Sequence, residues 1–119
     1  MASRMQAIRP MRDLLERLPK LPMTCKQEID YGGADPALLV AIAEDAETTM
    51  RAVYLGLGAI GHLLANSAVM VEDGTISADC IESLGFLMAE LGDLAAGCMT
   101  LAAHCRRETA DYEPPATQK

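Results

Sequence analysis

The sequence predicts an all-α protein, a long antiparallel helical hairpin with a short amino-terminal amphipathic helix, paired with a second copy into a four-helix-bundle dimer. Half of the 119 residues are hydrophobic but only 3% are aromatic. That composition favours helices, because sandwiches and barrels draw on β-branched and aromatic side chains. Apolar residues also recur every three or four positions along two long segments. The apolar faces of these segments are too broad for one partner helix, which favours a dimer of hairpins.

Residues 1–34 are predicted to form a basic amphipathic helix and a connector. Ser3 begins a weak capping box, and Pro10 suits the first turn of a restarted helix. Pro19 follows the last apolar position and is expected to stop that helix. The remainder, Thr24 to Gly33, is predicted to be a connector with one helical turn.

The first long helix is predicted over about residues 35–66. Asp35 is a favourable N-cap, and Pro36 fits the first helical position because its missing N–H has no partner there. Glu47 and Arg51 are spaced one turn apart, so they are predicted to form an ion pair on the helix surface.

The second long helix is predicted over about residues 77–107, with Ser77 at its start. Val69 to Ser77 is predicted to be the loop that joins the two long helices. Together they make residues 35–107 the hairpin, and residues 108–119 are predicted to be a flexible tail.

A glycine motif in the first long helix looks like a nucleotide-binding fingerprint. Gly56, Gly58 and Gly61 have the G-x-G-x-x-G spacing of dinucleotide-binding enzymes, which needs a strand before it and a helix after it. The surrounding pattern is helical, so the context does not support that function. The glycines are instead predicted to lie near Gly85 and Gly92 and to mark a close helix crossing.

The uncharged run from Ala52 to Val71 reaches the roughly 20 residues of a membrane span. His62 interrupts that run, and the partner helix would carry Glu90 and Asp93 into hydrocarbon at about 2.5 kcal/mol or more each. A soluble cytoplasmic protein is therefore predicted, and a membrane-inserted hairpin is the alternative.

The cysteine and histidine pattern indicates neither a metal site nor a catalytic site. No C-x-x-C or H-x-x-x-H spacing is present. His62 is expected near Cys80, but no third group is evident that would orient a catalytic base. The sequence therefore predicts no cofactor and no metal, and it predicts that the four thiols are apolar core residues: Cys25, Cys80, Cys98 and Cys105.

The formal net charge of −7 is concentrated in the main body of the chain, where Arg51 is the only Lys or Arg from Asp35 to Cys105. Such a surface repels nucleic acid and suits a protein partner with a basic surface. Phe86 lies among acids, where it is expected either to be covered by the amino-terminal helix or to be an exposed contact anchor. The residues predicted to bind the partner are Glu44, Asp45, Glu47, Phe86, Glu90 and Asp93.

These features predict a non-enzymatic protein that acts by protein–protein binding, on a partner whose basic surface binds nucleic acid. In size and charge the chain resembles small acidic inhibitors and accessory proteins of phages and mobile elements. One alternative is a ligand-binding bundle or an enzyme with a pocket lined by Met50, Met88, Cys98 and Met99. The other alternative is the membrane-inserted hairpin.

Overall fold

The protein is mostly helical, and 72% of the residues that the structure describes lie in helices. The structure, a computed structural model, describes residues 9–115. Those residues contain no β-strand, so the predicted all-α class is confirmed. A helix start at Ser3 falls outside the described residues. The helices are α1 (Pro10–Arg17), a 3₁₀ turn (Leu18–Lys20), α2 (Pro36–Ala65), α3 (Ala68–Glu72) and α4 (Ala78–Glu108).

Side-chain caps set the starts of the two long helices. The Asp35 carboxylate accepts a hydrogen bond from the Ala37 N–H at 3.1 Å. The Ser77 hydroxyl accepts one from the Cys80 N–H at 3.2 Å. Each bond satisfies one of the N–H groups that a helix start leaves unpaired, so both predicted caps are confirmed. Pro10 is in the first turn of α1, as predicted.

The segment between the two long helices contains one feature that the sequence did not predict. Instead of a continuous loop, the chain forms the short helix α3. The Ser67 hydroxyl donates a hydrogen bond back to the Leu63 carbonyl at 2.6 Å, which supports the backbone between α2 and α3. Gly74 follows α3 with φ +85, a conformation that glycine adopts without strain.

The connector between α1 and α2 lacks the predicted helical turn. The Thr24 hydroxyl accepts hydrogen bonds from the N–H groups of Lys26 and Glu28, at 3.3 and 3.2 Å, and so stabilises a turn instead. Beyond that turn, the Tyr31 ring stacks on His104 of α4 with ring centroids 5.0 Å apart. The connector is thereby held against the end of α4.

Burial divides the described chain into two halves. We call residues 9–53 and 98–115 the proximal half and residues 54–97 the distal half. In the proximal half, α1 and the connector cover the start of α2 and the end of α4. No residue of the distal half is buried. The buried apolar residues are Leu14, Leu21, Ala34, Leu39, Ile42, Ala43, Ala46, Val53, Cys98, Ala102 and Cys105.

The overall dimensions agree with this division. The radius of gyration is 18.9 Å, whereas a compact domain of this length would have about 14 Å. An extended fold leaves more apolar surface in water than a compact fold of the same length does. The chain therefore completes its core only at the proximal end.

The distal glycines do not mark a close helix crossing, so that prediction is wrong. A Cβ added at Gly56, Gly61, Gly85 or Gly92 would meet no atom within 4 Å. The helical repeat explains this, because the half-buried stripe of α2 continues from Val53 through residues 57, 60 and 64, and the glycines lie beside it.

Candidate functional site

Asp45, one of the predicted partner-binding acids, forms an ion pair inside the fold. It is 9% exposed, and its carboxylate forms an ion pair with Arg17 of α1. Within this pair the Arg17 guanidinium donates a hydrogen bond to the carboxylate, and this bond raises the pKa of Arg17. This ion pair joins α1 to α2 within one chain.

Glu47 is paired as well, but not with the residue that the sequence indicates. Its carboxylate accepts hydrogen bonds from Arg106 at 3.1 and 2.8 Å, so the predicted pair with Arg51 is wrong. The bidentate hydrogen bond from Arg106 lowers the pKa of Glu47. The packing of α4 on α2 brings Arg106 alongside Glu47, and local spacing cannot show that contact.

Glu44 lies apart from the remaining predicted residues. It is exposed beside a shallow concavity of about 280 Å³ in the proximal half. This concavity contains charges of both signs, because Glu47 and the arginines 51 and 106 also line it. Glu44 therefore belongs to a mixed-charge surface, separate from the acids of α4.

Three predicted residues, Phe86, Glu90 and Asp93, lie on one face of α4. The spacing of three and four residues places them on one side of the helix, and all three are exposed. Asp79 and Glu82 continue the same spacing toward the start of α4. Sequence reasoning missed these two, although their spacing could have revealed them. We call this set the acidic stripe: Asp79, Glu82, Phe86, Glu90 and Asp93.

The acidic stripe has no counter-charge within the part of the chain that the structure describes. None of its carboxylates forms an ion pair there, and the sequence has no Lys or Arg between Arg51 and Arg106. Phe86, in the middle of the stripe, is 68% exposed. The expectation that the amino-terminal helix covers Phe86 is not met, because α1 as described packs mainly on the proximal half and lines a crevice with Leu94 of the distal half.

The four cysteines divide into two classes, so the prediction of four core thiols is half wrong. Cys98 and Cys105 are buried, and burial raises the pKa of both thiols. Cys25 and Cys80 are exposed. Within residues 9–115 no group of three or more His, Cys, Asp or Glu side chains could hold a metal ion.

The residues suggested for a ligand pocket do not share one environment. Cys98 is buried, Met50 and Met88 are half-buried, and Met99 is 58% exposed. An apolar crevice of about 210 Å³ lies elsewhere, between α1, α2 and α4, and Thr49 is one of its lining residues. The buried Thr49 hydroxyl has no hydrogen-bond partner. The crevice is smaller than the roughly 300 Å³ at which ligand pockets begin.

Among the described helices, α4 alone is long and apolar enough to cross a membrane, judged by length and composition. Only 11% of its most apolar window is buried. The acidic stripe lies on this same helix, and each carboxylate placed in hydrocarbon would cost about 2.5 kcal/mol or more. The apolar character of α4 does not establish a membrane location.

Comparisons of the chain with protein-family models, with curated proteins and with solved structures give no match.

Proposed function

We propose that the protein is a non-enzymatic binding protein whose acidic stripe docks on the basic surface of a partner protein. In this proposal α2 and α4 form an antiparallel hairpin, and its distal half presents the stripe. The supporting observation is the contrast in charge pairing along the hairpin. Asp45 and Glu47 have partner arginines, whereas the carboxylates of the stripe have none in the described chain.

The arrangement of the stripe fits a protein-docking surface. Phe86 provides an apolar side chain in its middle, and aromatic anchors at the centre of an interface often carry much of the binding energy. The acids on either side would form the polar rim, where opposite charges accelerate encounter and set orientation. Because the stripe lies on one continuous helix, little conformational entropy would be lost on binding.

The length of the stripe suggests the kind of basic surface that would receive it. From Asp79 to Asp93 the helix rises about 21 Å. A basic groove that holds a nucleic-acid backbone presents a row of cations over a comparable distance. A cytoplasmic nucleic-acid-binding protein, blocked or regulated by this chain, is therefore the partner class we propose.

Charge reversal on the stripe tests the proposal. Immobilised wild-type chain, the E90K/D93K variant and the D111K/E113K variant are each used to capture proteins from the lysate of the native host. The two variants change the net charge equally, but Asp111 and Glu113 are exposed residues that follow α4. Captured proteins are quantified by mass spectrometry at low and at moderate salt.

We expect a basic protein that is retained by the wild type and by D111K/E113K, and lost at least about tenfold with E90K/D93K. Its retention should also fall with salt, because exposed charges are screened. Equal capture by all three chains would contradict the proposal. Equal loss with both variants would also contradict it, because the effect would then depend on net charge and not on the stripe.

A further inference from the structure

The two ion pairs between elements lie on opposite sides of the packed α2 and α4 helices. Arg17 and Asp45 mark the side that α1 covers. Glu47 and Arg106 mark the other side, where no described element packs over the helices. Residues seven apart on a helix lie on nearly the same side, so each side can be followed from its ion pair into the distal half.

The side marked by Glu47 and Arg106 continues as an uncharged surface. On α2 the helical spacing leads from Glu47 to residues 54, 58 and 61, and on α4 from Arg106 to residues 99, 92 and 88. These positions contain large apolar side chains and glycines with open space around them. We call this surface the open face: Tyr54, Gly58, Gly61, Met88, Gly92 and Met99.

The open face is exposed except at the half-buried Met88, and none of its six residues carries a formal charge. Tyr54 is 74% exposed and Met99 is 58% exposed. The acids of the distal part of α4 all fall on the acidic stripe, on the other side of the helix. Apart from Phe86, apolar and ionised residues are thus separated around α4, as they are in a helix that packs in a bundle.

We infer that the open face binds the open face of a second copy of this chain, giving a four-helix bundle. In a twofold-symmetric contact the same surface meets itself, and like charges would then repel. The open face has no charge to repel, and the acidic stripes of both copies would remain in water. A membrane is a less suitable occupant, because inserting α4 would carry the stripe into hydrocarbon.

The dimensions of the open face fit a dimer interface. The distal part of α4 is about 30 Å long, and two packed helices are about 20 Å wide. In flat projection such a surface is about 600 Å², at the lower end of the roughly 600–1,000 Å² that each partner contributes to a standard interface. Gly92 and Gly61 would let the facing helices approach closely, since their positions hold no side chain and no neighbour lies within 4 Å.

A matched pair of glycine substitutions tests this inference. Gly92→Glu places a carboxylate on the open face, and Gly97→Glu places the same carboxylate beside the acidic stripe. A Cβ at either position meets no atom within 4 Å, so neither substitution strains the isolated chain. Sedimentation velocity of the full-length protein over a range of concentrations gives the mass and the dissociation constant, and circular dichroism verifies the helix content.

We expect the wild type and Gly97→Glu to sediment as dimers, at twice the 12.7 kDa chain mass. Gly92→Glu should weaken the dimer at least about 100-fold, because the contact would bury an unpaired carboxylate. If Gly92→Glu lowers the helix content, Gly61→Glu on α2 is the second variant. It should weaken the dimer by a similar factor. The E90K/D93K variant should remain a dimer, which separates this inference from the proposed function of the stripe.

Three results would overturn the inference. The first is a wild-type chain that stays monomeric at every concentration. The second is a dimer that survives both Gly92→Glu and Gly61→Glu. The third is a chain that leaves the membrane pellet only with detergent.

Discussion

The proximal and distal halves both contain parts of α2 and α4, yet only the proximal half has a core. In the proximal half α1 and the connector add a third layer, and residues such as Ile42 and Cys105 are fully buried. In the distal half no third layer is described, and Phe86 and Tyr54 are largely exposed. Apolar content does not separate the halves, because both are rich in Leu, Ala and Met. The difference lies in what covers the apolar surface.

Charge follows the same division. The proximal half pairs Asp45 and Glu47 with arginines from other elements. The distal half has acids without any Lys or Arg among its own residues. The ion pairs stabilise the proximal half within one chain, whereas the acids of the distal half have no such partners in the described chain.

The largest difference is expected for the same truncation made in each half. Leu39→Ala removes a side chain that is 1% exposed, and Leu63→Ala removes one that is 69% exposed. Leu39→Ala should lower the free energy of unfolding by about 2–5 kcal/mol, through lost burial and a residual cavity. Leu63→Ala should change it by less than about 0.5 kcal/mol. Urea unfolding followed by circular dichroism measures both, and similar losses would contradict the division into halves.

The next effect concerns the ion pair that holds α1 on α2. Arg17→Met would leave the Asp45 carboxylate largely buried without its donor, which should cost about 1–3 kcal/mol in the free energy of unfolding. Arg12→Met is the control, because the Arg12–Asp13 pair of 2.9 Å is exposed and local. The control should cost less than about 0.5 kcal/mol. Equal costs for the two variants would show that the Asp45 pair does not anchor α1.

The smallest effect is the pH dependence that comes from Glu47. Because Arg106 lowers the pKa of Glu47 in the folded state, this pair stabilises the protein above the ordinary value of 4.5. The stabilisation should be lost as the pH falls below 4.5 through the lowered pKa. Both groups are well exposed, so the difference between wild type and Glu47→Gln should be about 0.5 kcal/mol at pH 7. Urea unfolding from pH 7 to pH 3 measures the difference in the free energy of unfolding between the two chains. A difference that grows as the pH falls would contradict this prediction.

Local signals were sufficient to predict the two long helices, but not the short helix α3. Asp35 with Pro36 and Ser77 set the starts of α2 and α4, because an N-cap bond depends on residues within one turn. The failures share a different cause. The partner of Glu47 comes from α4, far along the chain, and the exposure of Phe86 depends on where α1 lies. Such contacts are set by tertiary packing, which no local spacing records.

The candidate site was predicted in part for the same reason. The spacing of Phe86, Glu90 and Asp93 places them together on any helix, and the structure brings them together on α4. The burial of Asp45 could not be predicted, because it comes from the contact with Arg17 of α1. The role of the glycines was misassigned, since their positions relative to the other helix depend on which stripe of α2 is buried.

We propose that association completes the distal half, whereas the proximal half is complete within one chain. Amide hydrogen exchange of the full-length protein, measured by mass spectrometry over a range of protein concentrations, tests this most directly. Protection of residues 54–97 should rise with concentration in the wild type and stay low in Gly92→Glu, while protection around Ile42 and Cys105 stays constant. Protection of residues 54–97 that is high and independent of concentration in both chains would contradict the claim.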